Sequence, residues 1–270
     1  MLGAGRSEAA MAEYQVALRQ GGDRADVLVR LAHGYAQLGR VDEASDYYTR
    51  LLAVDSSYTG QAVADFLSMA RRALGEQDRA RMARALEQAQ AIRPGEIPED
   101  LALPFARYYY ELAEYAQALP LFLSVLSSAP DSVPPVVRFE LARSYKELGD
   151  CVRALEGFRT YLENRPRGDS VTDARWHAGQ CAYRLAREDR LAGRPAEALE
   201  KLDLVIELGA PRASLDDAWF DKGELLFSLG RFDEAMAAYE KVLDLNPSRT
   251  GRLVRLAEDR IRTIRYRSST

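Results

Sequence analysis

The feature that most narrows what this chain can fold into is a spacing that recurs along it. Gly230, Ala235, Tyr239 and Pro247 follow one another in steps of five, four and eight. The same steps run through Gly149, Ala154, Phe158 and Pro166, through Ala113, Ala118, Phe122 and Pro130, and through Gly39, Ala44, Tyr48 and Ser56. Looser copies run through Gly5, Ala10, Tyr14 and Gly22 and through Gly193, Ala198, Leu202 and Ala210. Successive anchors stand 34, 74, 36, 44 and 37 residues apart, and the interval of 74 leaves room for one degenerate unit pivoting near Gly75. A period of about 34 residues with insertions marks a repeat architecture, in which one unit cannot bury its apolar face alone and neighbours must cover it.

Each unit reads as two helices. Upstream of the anchor, apolar residues fall at helical spacing, as in Leu28, Leu31, Ala32, Tyr35 and Leu38 or Phe139, Leu141, Ala142, Tyr145 and Leu148. Gly then ends the first helix, because it takes the left-handed conformation at little cost. An acidic residue such as Asp42 or Asp233 follows, placed to cap or complement the positive start of the second helix. The small residue five past the anchor lets the two helices approach, the aromatic or Leu four later fills the space beside it, and Pro stops the second helix.

This pattern resembles the tetratricopeptide repeat. The best copy runs from Trp219 through Gly223, Gly230, Ala235 and Tyr239 to Pro247, and the resemblance covers almost the whole chain. It implies an all-α, right-handed superhelical solenoid of stacked antiparallel helix pairs, whose first helices line a concave groove. The expected units are a second helix alone over 1–22, repeats over 23–58, 59–95 (degenerate), 96–131, 132–168, 169–212 (extended first helix) and 213–248, and a capping helix over 249–270, all in one solenoid domain.

Three departures shape further expectations. The first unit has only a second helix, Ser7 to Gln20, so the sequence reads as starting inside a repeat, with apolar surface left open. Tyr183 precedes Gly193 by ten positions where Tyr35, Tyr109 and Tyr145 precede their anchors by four, so a helix over about Thr172 to Leu191 is expected to be longer and to protrude. Arg249 to Arg267 reads as an amphipathic cap with Leu253, Leu256, Ile261 and Ile264 facing the stack. That segment holds seven Arg against Glu258 and Asp259, a local +5 that leaves −9 for the rest. Terminal repeats need a polar outer face, so the cap is the preferred reading over a nucleic-acid footprint, which lacks interleaved aromatics apart from Tyr266.

Composition excludes several classes. With 47% hydrophobic and 29% charged residues the chain has material for a sizeable core. A net charge of −4 argues against a chain built to coat nucleic acid or anionic membrane. The longest nearly apolar stretch, Ala118 to Leu126, is too short for a transmembrane segment. The first 30 residues carry no signal-peptide pattern, and the compartment stays open between cytoplasm and periplasm. The basic residues are 33 Arg and 4 Lys, which fits a GC-rich bacterial source. Cys151 and Cys181 read as two buried thiols, and with His33 and His177 far apart no metal-ligand spacing exists. Neither GxSxG, GxxxxGK[ST] nor GxGxxG occurs, so neither cofactor nor small-molecule substrate is expected and the chain reads as non-catalytic.

Binding is then the expected role. The resemblance places Arg72, Arg107, Tyr110, Phe139, Arg143, Lys146, His177, Arg184, Phe220 and Phe227 along the groove, with His33 and Glu224 near it. Arg107 and Arg143 each stand six before their anchors, Ala113 and Gly149, and the middle of the groove reads as basic and aromatic. Guanidinium groups fork onto carboxylates, and aromatics supply apolar pockets, so an acidic peptide with hydrophobic anchors fits. The carboxylate clamp for chaperone tails does not, because it depends on groove asparagines and the chain has only Asn164 and Asn246, both at second-helix ends. Two functions suit the whole pattern: an adaptor holding a peptide or loop of a protein partner, or an assembly module that packs on other subunits, or on the rest of a longer chain, through exposed terminal helices.

Overall fold

A computed structural model describes residues 2–95, 97–128, 133–164 and 170–268, with side chains from residue 9 to 267. Among them are fourteen α-helices, two short 3-10 turns and no strand. They fall into two compact units, residues 1–130 and 131–270. The first holds α1 (Leu2–Gly21), α2 (Ala25–Gln37), α3 (Val41–Val54), α4 (Thr59–Gly75), α5 (Arg79–Ile92), α6 (Glu99–Glu111) and α7 (Tyr115–Ser128). The second holds α8 (Val136–Glu147), α9 (Cys151–Asn164), α10 (Val171–Leu191), α11 (Pro195–Leu208), α12 (Leu215–Ser228), α13 (Phe232–Leu245) and α14 (Arg252–Ser268). In each unit the helices pack as consecutive hairpins: α2 on α3, α4 on α5 and α6 on α7, then α8 on α9, α10 on α11 and α12 on α13.

One backbone device closes all six hairpins. A residue with positive φ follows the first helix: Gly39 (74°), Gln77 (61°), Ala113 (60°), Gly149 (87°), Gly193 (72°) and Gly230 (74°). The amide after it reaches back five residues to a helix carbonyl, as in Arg40 N to Tyr35 O at 3.0 Å and Arg231 N to Leu226 O at 3.0 Å. These are Schellman closures, which satisfy carbonyls the helix end leaves without partners. The pivot of the degenerate unit is therefore Gln77, and Gly75 is still helical. Five residues past each pivot stand Ala44, Met82, Ala118, Ala154, Ala198 and Ala235, and nine past stand Tyr48, Leu86, Phe122, Phe158, Leu202 and Tyr239, all buried. The helix starts differ in how they are stabilised. Asp78 and Asp150 accept hydrogen bonds from Arg81 N and Arg153 N, both at 3.0 Å. Asp42 and Asp233 instead sit in the first turn without a capping bond and complement the helix dipole.

Four expectations are corrected. Gly5 lies inside α1, which starts at Leu2 and so before Ser7. The long α10 has 21 residues but carries buried residues along one face from Ala174 to Asp189, because it packs against both α9 and α11 and so does not protrude. The α11–α12 connection covers it so closely that a Cβ on Gly179 would lie 1.7 Å from the carbonyl oxygen of Ala210. On α14 the buried face is Val254, Ala257, Ile261 and Ile264, a 3-4-3 spacing that turns Leu256 outward. The pivot shift from Gly75 to Gln77 is the fourth. Pro130 and Pro166, expected as helix stops, lie outside the described residues; at the third such position α13 ends at Leu245, two residues before Pro247.

Candidate interaction surface

Consecutive first helices touch within each unit, α2 with α4 and α4 with α6, α8 with α10 and α12 with α14, and the polar side chains of these seams are largely engaged with one another. In the first unit His33 Nδ1 lies 2.7 Å from Asp65 Oδ2 on the next first helix, and the Tyr48 hydroxyl donates to the same oxygen. Burial, and then the Asp65 carboxylate, push the Tyr48 phenol up from its ordinary range. Gln37 Nε2 stands 2.8 Å from His33 Nε2. Arg72 reaches from α4 to the last carbonyls of α2, those of Gln37 and, at 3.3 Å, Ala36, so its guanidinium closes a helix end. Tyr110 packs edge-on against Tyr115 and Phe122, with centroids 5.7 and 5.9 Å away, and Arg107 is half-buried beside it on α6.

The second unit is built differently. Phe139 and His177, expected on the groove wall, are core residues, 5% and 8% exposed. The His177 ring stacks on Phe158 at 5.5 Å and 13°, and Phe139 tilts against Phe158 and Tyr161. Burial first, then Lys146 and Arg143, hold His177 down at a pKa of about 4, so the ring stays neutral. Behind it, Arg143 is half-buried on α8.

What this cluster presents outward is a residue that the sequence reading passed over. Trp176 is 42% exposed, edge-on to His177 at 4.8 Å, with Lys146 Nζ 5.4 Å from its ring centre. Lys146 also pairs with Glu147 at 3.3 Å, and Arg184 with Glu188 at 3.0 Å. The signal in the sequence was the run Trp176, Gln180, Tyr183, Arg187, one face of a helix at steps of four, three and four. The extra length of α10 shifted the repeat phase and hid it.

Further along, the seam turns acidic. Asp221 accepts from the Tyr183 hydroxyl at 2.8 Å and from Arg190 at 2.9 Å. Beside it Asp217 is held above the ordinary carboxylate range by burial and by Asp216 and Asp221. Burial also works to raise Glu224, but Arg260, gripping it at 2.6 and 2.8 Å, and the Tyr239 hydroxyl outweigh this and hold it low. Phe220 packs half-buried on Tyr239. Phe227 lies under Arg260 and Arg267 at 5.1 and 5.7 Å, so α14 covers a residue expected to be free. Among the described residues no group of three His, Cys, Asp or Glu side chains could hold a metal ion, and no helix is long and apolar enough to cross a membrane.

Tetratricopeptide-repeat family profiles match residues 27–62, 139–213 and 216–249, between them more than half of the sequence. The chain belongs to the tetratricopeptide repeat family. Among solved structures it is similar to the Naa15/Naa10 complex bound to HypK-THB (16% identity over 96% of this chain, TM-score 0.44), of which it spans only 37%. It is also similar to the C-terminal part of a tetratricopeptide repeat-containing protein from Cytophaga hutchinsonii (19% identity, 93% of this chain and 94% of that one, TM-score 0.40). A third is YrrB, described as having an unusual peptide-binding site (19% identity, 72% and 91%, TM-score 0.36). No curated protein sequence matches. Members of this family are generally non-catalytic interaction modules, and the tetratricopeptide repeats make this chain a protein–protein interaction scaffold.

Proposed function

We propose that this scaffold holds a peptide or loop of a protein partner against its first helices, with the main contact in the second unit around Trp176, Lys146 and Arg143. The observation that carries the reading is Trp176 itself. A large exposed indole, held in place from behind by His177 and from the side by Lys146, loses little side-chain freedom on contact, and such rigid aromatics dominate interface energetics. The partner segment is acidic with an apolar anchor. α8 carries three cations against Glu140 and Glu147, and α10 four against Asp173, Glu188 and Asp189, while the chain as a whole is negative. Arg184 extends the contact within the second unit; Arg107 and Tyr110 offer a separate contact within the first, and Arg72, committed to the end of α2, contributes stability.

The test compares affinity capture from the source-cell lysate by the chain and by its Trp176→Ala form, followed by titration of the captured partner. Loss of about 2 kcal/mol in binding, with the helical circular-dichroism signal unchanged, is expected. An identical captured set and affinity would end the reading.

A second reading, assembly with other subunits, is favoured by α1. The positions that are buried in all six hairpins are open there: Ala10 is exposed and Tyr14 half-buried, while Met11 and Leu18 pack on α2. Light scattering over a concentration series separates the two readings, since a strict monomer removes self-assembly and leaves the Trp176 surface intact.

A further inference from the structure

The seam of first helices in the second unit changes sign as it runs from α8 through α10 to α12, and its acidic end holds one unanswered group. α12 carries four carboxylates. Asp216 accepts from the Asp217 amide at 3.0 Å, Asp221 from Tyr183 and Arg190, and Glu224 from Tyr239 and Arg260. Asp217 is half-buried, yet among the described residues its carboxylate has neither a hydrogen bond nor an ion pair. A carboxylate that has given up part of its hydration without gaining a donor carries a cost that a cation from outside can offset. Its raised pKa, to which burial contributes most and which Arg187 only partly counters, agrees with this.

The register of the repeats fixes where Asp217 lies. It stands thirteen residues before the pivot Gly230, as Gln180 does before Gly193, so the two occupy equivalent positions on successive first helices. Gln180 is one turn along α10 from Trp176, on the same face. The two helices are joined directly, because Tyr183 and Arg190 both bond to Asp221, one turn beyond Asp217. One turn along α10, about 5 Å, and one helix spacing across, about 10 Å, put Trp176 and Asp217 about 11 Å apart. An extended chain covers that distance in about three or four residues.

We propose that the segment recognised at Trp176 is dipolar: its acidic residue and apolar anchor meet Lys146 and Trp176, and a Lys or Arg about three or four residues away, on the α12 side, pairs with Asp217. This rests on the partner-binding reading above and adds to it a charge of opposite sign at a set distance. It also fixes the direction in which the segment crosses the helices, because the reversed segment would set like charges together at both ends.

The probe is a phage-displayed random dodecapeptide library selected on the intact chain, and the peptides that Trp176→Ala fails to retain define the set to be read. Expected in that set is an acidic residue beside an apolar one, with Lys or Arg enriched about three or four positions away. On Asp217→Arg the preference at that position should turn acidic while the acidic–apolar pair persists; on Asp217→Asn the basic preference should vanish. For the tightest peptide, Ala in place of its basic residue should weaken binding about five- to tenfold to the chain and less than about twofold to Asp217→Asn. That gentler variant carries the test should Asp217→Arg fold poorly. A set without the basic preference, a preference that survives in Asp217→Asn, or equal weakening in both forms would overturn the proposal and leave the Trp176 contact standing. If no retained peptide depends on Trp176, both readings fall.

Discussion

The chain has two histidines, each on a first helix, and the two units treat them in opposite ways. His33 is partly in solvent, with Asp65 on one ring nitrogen and Gln37 on the other. His177 lies flat on Phe158 inside the core, with Nδ1 buried and given no hydrogen-bond partner. The first arrangement couples neighbouring first helices through a polar bridge that solvent weakens. The second makes the imidazole a neutral aromatic spacer, whose packing holds an exposed Trp176 in place. The same residue type on the same kind of helix therefore serves cohesion in one unit and presentation of a surface in the other.

The sharpest way to break this contrast is to empty the aromatic cluster. Phe158→Ala removes the ring under His177 and should cost about 3–5 kcal/mol in urea unfolding, since the cavity cannot collapse between two helices. Acid comes next. The folded-state pKa of His177, about 4, is below the ordinary 6.5, so the unfolded chain takes up the proton first. The stability this neutral ring provides is whole above pH 6.5, falls as pH drops toward 4 and levels below, a loss of up to about 3 kcal/mol. In His177→Phe this part of the pH profile should be flat, and an unchanged slope would show that the acid sensitivity lies elsewhere. In the first unit, Tyr48→Phe deletes the hydroxyl bond to Asp65 and should cost about 1 kcal/mol, because His33 still serves the carboxylate. His33→Ala should have the smallest effect, about 0.5 kcal/mol, and a loss matching that of Phe158→Ala would erase the distinction between the units.

The hairpins were legible in the sequence because each is fixed by residues of one kind: a residue able to turn left-handed, then a small residue, then a large one at fixed distances. Gln77 escaped because it does the work of Gly in a conformation that costs a side chain about 1 kcal/mol. What holds it there is the burial of Met82 and Leu86, five and nine residues on: Leu86 fills the same place as Leu202 does in its repeat, while Met82 replaces the usual Ala. The surface was harder to read for a different reason. Whether Phe139 or Trp176 faces solvent depends on how far a neighbouring helix has slid, and the added length of α10 changes that offset without altering either residue's own helical spacing. The helical spacing puts Arg72 on a first helix, but its side chain's destination, the end of α2, depends on a contact 35 residues away. Charge counting alone reads as a basic middle; the pairing of Lys146 with Glu147 and of Arg184 with Glu188, and the acidic run on α12, show how much of that charge is already answered locally.

The repeated left-handed closure has a consequence for how such a chain changes over generations. The turn inside every hairpin is made on the same geometric terms, so a gene segment spanning one closure to the next can be duplicated or deleted in frame and the remaining closures keep their form. An unusual insert, such as the additional turns of α10, travels inside its own segment and leaves the neighbouring joints untouched.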